Sequence, residues 1–232
     1  MENILEIISE NELLDTNFKK SITGYHFINS SPVNETVWED INSLIFSKSN
    51  IEIYSKSDGG HSPGMDIDSS IGRISNKSSK YSSNKSKFSM SSYRLTTVCS
   101  EKTCGDISSI IDEINKRKNF DYYSFIIRDE NSHTNIIHYD WLLINSNYPM
   151  LDPSSYTWVP TIGKRGKNKD VQVGWNTNKI NGCSMKITFS MSSQLWVEIE
   201  MTEDIKKYII SSISIHNSPI YNYIDIVDKL TI

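Results

Sequence analysis

The chain has 232 residues, 37% of them hydrophobic and 22% charged, with a formal net charge of −4. That length can bury one sizeable core, and the composition is far from that of a disordered chain. No stretch approaches the roughly 20 apolar residues that span a bilayer, and MENILEIISENELLD has acids where an export signal needs a basic start, so a soluble, cytoplasmic protein without membrane partners is expected.

Residues 3–15 alternate apolar and acidic side chains in a helix-like way. After the turn-rich NSSPVN, the segment ETVWEDINSLIF places Val37, Ile41, Leu44 and Ile45 on one helical stripe, with Asn34 as its N-cap. NIEIYS (50–55) alternates as a strand, SDGGHSPG is a turn, and MDID and GRISNKS are two short strands joined at Ser69 and Ser70. Residues 69–92 are serine-rich enough to read as a linker, although KFSMSSYRLTTV has the apolar and β-branched content of a strand or ordered turn.

GDISSIIDEINKRK is the clearest helix, with Ile107, Ile110, Ile111 and Ile114 in one stripe, Asp106 at its start and Lys116, Arg117 and Lys118 at its end. FDYYSFIIR and NIIHYDWLLIN read as strands, 152–182 as a turn-rich basic loop, with the 150–185 region open between one long loop and two short strands, and SMKITFSMSSQLWVEIEM as one long strand. Thr202 caps a final helix around Ile205, Tyr208 and Ile209. The order predicts an α/β fold: a single domain over 1–232 with a central mixed β-sheet flanked by helices, its core at about 34–145 and additional strands, the basic loop and a helix in 146–232.

Cys99, Cys104 and Cys183 read as reduced thiols, since structural zinc sites bring ligands in close pairs and Cys183 has no near partner. His133 and His138 read as structural, Trp141 and Trp196 as core and rim aromatics, Asp58 as a turn acid, and His61 equally as a surface residue or one that positions water. Charge is unevenly spread. From Ser69 to Ser100 there is no acid, while Arg73, Lys77, Lys80, Lys85, Lys87 and Arg94 accumulate, and GKRGKNK carries Lys164, Arg165, Lys167 and Lys169. Such clusters give salt-dependent affinity for phosphates, and Gln172, Asn176 and Asn178 beside the second suit base-edge recognition.

Hydrolysis of a phosphodiester near neutral pH needs a divalent cation on oxygen ligands, an activated water and a nearby ammonium group. Asp66 closes HSPGMD, and Ser75 and Lys77 follow on the next strand, two apart and therefore on one face. A hairpin would bring them beside Asp66.

This arrangement resembles the PD-(D/E)xK nucleases, the fold of many type II restriction endonucleases, built as helix, three strands, helix, strand. The resemblance covers roughly Asn34 to Ile127. It implies Asp66, Ser75 and Lys77 as the catalytic positions, with Lys80, Lys85 or Lys87 as the rival placement of the lysine and FSMSSYR then as the active strand, and Asp66, Asp68, Glu39 and Glu35 as candidate ligands of Mg²⁺. The basic clusters, Arg73, Lys80, Lys85, Lys87, Arg94, Lys164, Arg165, Lys167 and Lys169, are the candidate DNA contacts. The expected function is a Mg²⁺-dependent, site-specific double-stranded DNA endonuclease of a restriction-modification system, acting as a homodimer. Two positions depart from the pattern: Met65 stands where the family has proline, and Ser75 where it has an acid. The alternative is a non-catalytic DNA- or protein-binding module. An unrelated hydrolase has little support, because H-E-x-x-H and P-loop motifs are absent.

Overall fold

A computed structural model describes residues 8, 11–57, 64–96, 99, 106–189, 193–222 and 224–226, with the backbone alone for Tyr93 and Arg94. Two helices lead. Asn11 accepts from the Leu13 N–H at the start of α1 (Glu12–Ile28), and Asn34 from the Val37 N–H at the start of α2 (Glu35–Lys48). Each cap satisfies a donor that the first helical turn leaves open. Leu14, Phe18, Ile22 and His26 recur every fourth residue of α1 and are buried, as are Trp38, Ile45 and Phe46 of α2.

The helices cover one face of a mixed six-stranded sheet. Its strands are β1 (Ile53–Lys56), β2 (Ile67–Ser69), β3 (Gly72–Lys80), β5 (Tyr122–Asn131), β6 (Ile136–Asn145) and β11 (Ile209–His216), in the order β1-β2-β3-β5-β6-β11. Only β3 and β5 are parallel neighbours, separated in sequence by β4 (Lys87–Arg94) and α3 (Ile107–Arg117). A second, antiparallel sheet runs β4-β10-β9-β8-β7, with β7 (Trp158–Ile162), β8 (Gln172–Thr177), β9 (Cys183–Thr188) and β10 (Gln194–Glu200).

Alternation along β5 divides the core. Ile126 packs with Trp38, Trp141 and Phe18 under the helices, while Phe125 and Ile127 pack on Phe88, Val197 and Ile187 of the second sheet and on Ile110 and Ile114 of α3. The layers are thus helices, mixed sheet, then second sheet with α3: an α/β domain in which the expected flanking helices cover one face and another sheet shares the other.

Most of the 3–15 stretch lies outside the described residues; its Ile8 and its residues from Glu12 on are helical, and α1 runs on to Ile28, past the expected end. Elsewhere the structure resolves or corrects the expectations. The serine-rich 69–92 segment is β3 and the start of β4, ordered because Tyr81 and Phe88 bridge its turn and are buried. Residues 152–182 contain β7 and β8, and the single strand expected after 183 is the β9–β10 pair. Helix α4 (Glu203–Lys206), capped by Thr202, is four residues long; Ile209 opens β11, which pairs with β6. Among the described residues no helix is long and apolar enough to cross a membrane.

Candidate active site

The site is built where β2 and β3 part. Ile67, Asp68 and Ser69 pair with Ile74, Arg73 and Gly72, and the pairing ends there. The chain enters β2 through Gly64, whose φ of +93° suits glycine. A Cβ there would lie 2.1 Å from Asn119 Oδ1, the atom that accepts the Met65 N–H at 3.0 Å. The Asp66 N–H donates to the Ile74 carbonyl at 2.8 Å. Its carboxylate then takes over from the departed strand: Oδ2 accepts the Asn76 N–H at 2.5 Å and stands 3.5 Å from Ser75 Oγ. A carboxylate is thereby fixed to the free edge of β3 without consuming its second oxygen.

Lys77, one residue further, is nearly buried, its side chain 10% exposed. Its Nζ donates to the Asn76 carbonyl at 2.7 Å and to Glu35 Oε1 at 2.9 Å, on the first residue of α2. Glu39 lies one helical turn beyond Glu35 and is partly buried. Its carboxyl is pushed up to about 7, chiefly by burial and then by the neighbouring charges of Asp66 and Glu35, against the opposing pull of Lys77. Burial also raises the Asp66 carboxyl, with Lys77 and the Asn76 N–H opposing. Lys77 is penalised by burial, yet Glu35 and Asp66 together hold its ammonium group protonated beyond its ordinary range. Three carboxylates therefore share one ammonium, a cluster of negative charge anchored on rigid elements.

The donor set is oxygen-rich, which suits a hard divalent cation. Among the described residues no three His, Cys, Asp or Glu groups are arranged to hold a metal by themselves; Mg²⁺ commonly takes one or two carboxylates and completes its shell with water and phosphate oxygens.

Asp68 is not brought into this group. It faces Arg73 across the β2–β3 pair and supports that guanidinium's charge. Arg73 forks onto Asp121, with nitrogen–oxygen distances of 3.2 Å. Lys80, Lys85 and Lys87 are likewise paired, with Glu130 at 3.3 Å, Asp129 at 2.7 Å and Glu198 at 2.8 Å. Lys164, Arg165, Lys167 and Lys169 differ: all four are exposed at the tip of the β7–β8 hairpin, with no ion pair among the described residues. The Arg94 side chain, His61, Asp58 and Cys104 lie outside the described residues.

Sequence reasoning passed over two contributors. Asn76 supplies the N–H that anchors Asp66, and its side-chain oxygen accepts from Asn42 on α2 at 2.6 Å. The signal for Asn42 was available, an amide in the buried stripe between Trp38 and Ile45. A second cluster appears on β6 and β11. His138 bonds Asp140 at 3.1 Å and Ser214 at 2.9 Å, and Tyr81 donates to Asp140 at 2.7 Å.

No known protein family, curated protein or solved structure matches this chain significantly.

Proposed function

We propose that this protein is a Mg²⁺-dependent DNA endonuclease of the PD-(D/E)xK type, cutting double-stranded DNA at specific sites as a homodimer. The observation that carries the reading is the meeting of Asp66, Lys77, Glu35 and Glu39 at the point where β2 leaves β3. The order α2, β1, β2, β3, α3, β5, interrupted by β4 of the second sheet between β3 and α3, with β5 parallel to β3, supports it as well.

Asp66 and Glu39 are the groups that would hold Mg²⁺, which when bound supplies positive charge to the transferring phosphoryl group and acidifies a coordinated water. The remaining work falls to the chain's own side chains. Lys77, aimed by Glu35 and the Asn76 carbonyl, presents a fixed ammonium group that can orient the attacking water and offset developing charge. The Asn76 N–H holds Asp66 in one orientation. Ser75 contributes a neutral hydroxyl where a second acid is usual, so the cation must lean on the α2 glutamates. The unpaired cations of the β7–β8 tip supply phosphate affinity.

The neutral Ser75 is also what favours a second reading, a DNA-binding module without chemistry. One experiment separates them: unmethylated phage DNA incubated with purified protein, with and without Mg²⁺. Discrete Mg²⁺-dependent bands that vanish in Asp66→Ala support the endonuclease. Retained binding without nicking, in Mg²⁺ or Mn²⁺, supports the module, and cleavage that survives Asp66→Ala would sink the proposed site.

A further inference from the structure

The second sheet has one covered face and one open face. Leu195, Val197 and Ile199 point into the core, so by strand alternation Trp196 and Glu198 point outward. Trp196 is 37% exposed, whereas Trp38 and Trp141 are fully buried and Trp175 nearly so. Strand register sets Trp196 in a row across the sheet with Ser91, Lys186 and Asn176. Around Trp196, Lys186 and Asn176 the surface dips into a cavity of about 370 Å³. The adjacent row runs from Arg94 through Gln194 and Thr188 to Gly174, beside the tip of the β7–β8 hairpin.

Charge on this face is one-sided. Glu198 and Glu200 are neutralised by Lys87 and Lys179. Lys186 and the four tip cations have no ion pair among the described residues, against the single acid Asp170.

We infer that the open face of the second sheet binds single-stranded nucleic acid, with one base stacked on Trp196 and the phosphates following Lys186 to the basic tip. A flat indole beside unpaired cations matches a strand with exposed base faces and a regular negative charge. In a duplex those faces are already stacked and cannot meet the ring. A neutral glycan could stack on the ring but would leave the cations without a partner. The inference concerns binding alone, needs no divalent cation, and stands or falls separately from the cleavage reading.

The test is equilibrium binding of fluorescent 15-mers of dT and rU, in EDTA, read by anisotropy and by quenching of tryptophan emission. Wild type should bind at low salt, with log affinity falling by about 0.7 per phosphate neutralised for each decade of salt. Trp196→Ala should weaken binding about tenfold or more, while Trp196→Phe retains most of it, since stacking needs only an aromatic face. Lys186→Gln should flatten the salt slope by about one phosphate's worth. The dT and rU arms show whether DNA, RNA or both are held. Because Trp196 is a surface residue, matched circular dichroism and melting of the variants secure the comparison. Wild-type affinity in Trp196→Ala, or quenching by a neutral oligosaccharide in place of the 15-mers, would each overturn the inference.

Discussion

The Lys77 ammonium group lies 2.9 Å from Glu35, a residue 42 positions earlier in the chain. The pair is asymmetric: Lys77 is almost buried and Glu35 is about half exposed. Lys77 is thus the buried cation of the cluster, and Glu35 the group that aims it. Lys77→Met should lower DNA cleavage by about 10²-fold or more. It should also destabilise the fold by about 1–3 kcal/mol at pH 8, because Asp66 and Glu39 lose their compensating charge. Glu35→Gln keeps a hydrogen-bond acceptor for the ammonium group and should cost less, about tenfold in cleavage at unchanged pH optimum. Plasmid-nicking rates and urea denaturation of both variants check this; equal losses would show that Glu35 does more than aim Lys77.

Glu39 gives a pH prediction with a definite sign. Its carboxyl is raised from an ordinary 4.5 to about 7, so between those values the folded state binds more protons than the unfolded chain. Stability therefore falls as pH rises through that window, and above 7 the full penalty is present. Glu39→Gln removes the penalty. After allowance for its partial exposure, the variant should be about 1–2 kcal/mol more stable than wild type at pH 8 and equal to it near pH 4. Mg²⁺ should raise the wild-type Tm more at pH 8 than at pH 6, because a cation competes with that proton. A Tm indifferent to Mg²⁺ at both values would argue against cation binding here.

His138 has the same pH sign as Glu39, but through a stabilising pair in place of a penalty. Its bond to Asp140 raises it above 6.5, with burial and Lys85 opposing and Asp129 assisting. The stabilisation of the charged pair is fully present below 6.5 and lost as pH climbs through the folded value. Asp140 also accepts from Tyr81 and Ser212, which keeps it ionised and below its ordinary range. His138→Gln should thus cost about 1 kcal/mol at pH 6 and less at pH 8.5, by urea denaturation at the two values. An identical cost at both would mean that the ring acts only through packing.

Much of the site's frame was legible because it is local. The caps Asn34 and Asp106 and the stripes of α2 and α3 are short-range signals, and the alternation of GRISNKS puts Ser75 and Lys77 together on the strand that follows Asp66. The pairing of charges was not legible. The acid-free run from Ser69 to Ser100 looks like an open basic surface, yet Arg73, Lys80 and Lys87 meet Asp121, Glu130 and Glu198, which lie 48 or more residues later. Helix α1 escaped notice because Lys19, Lys20, Thr23 and Gly24 dilute its stripe of Leu14, Phe18 and Ile22. The division of this segment into β9 and β10 was hidden because serine-rich FSMSS continues the alternation in the sequence.

Two glycines predict opposite outcomes from one substitution. Gly163 opens the basic tip, donating to the Val171 carbonyl at 2.8 Å and accepting from the Asp170 N–H at 2.9 Å. A Cβ there would lie 1.9 Å from the Asn168 carbonyl oxygen, a backbone atom that cannot step aside alone. Gly163→Ala must therefore open the loop that holds Lys164, Arg165, Lys167 and Lys169 together. Affinity for DNA should fall several-fold with a shallower salt slope, while the two cores and their melting cooperativity stay intact. Gly24, in the middle of α1, has no atom within 4 Å of a built Cβ. Gly24→Ala should accordingly raise stability by about 0.5–1 kcal/mol through backbone entropy and leave DNA affinity unchanged. Filter binding across a salt series and thermal melts of both variants read the contrast. Unchanged binding by Gly163→Ala would mean that the ordered shape of the tip, as distinct from its charge, contributes nothing to phosphate contact.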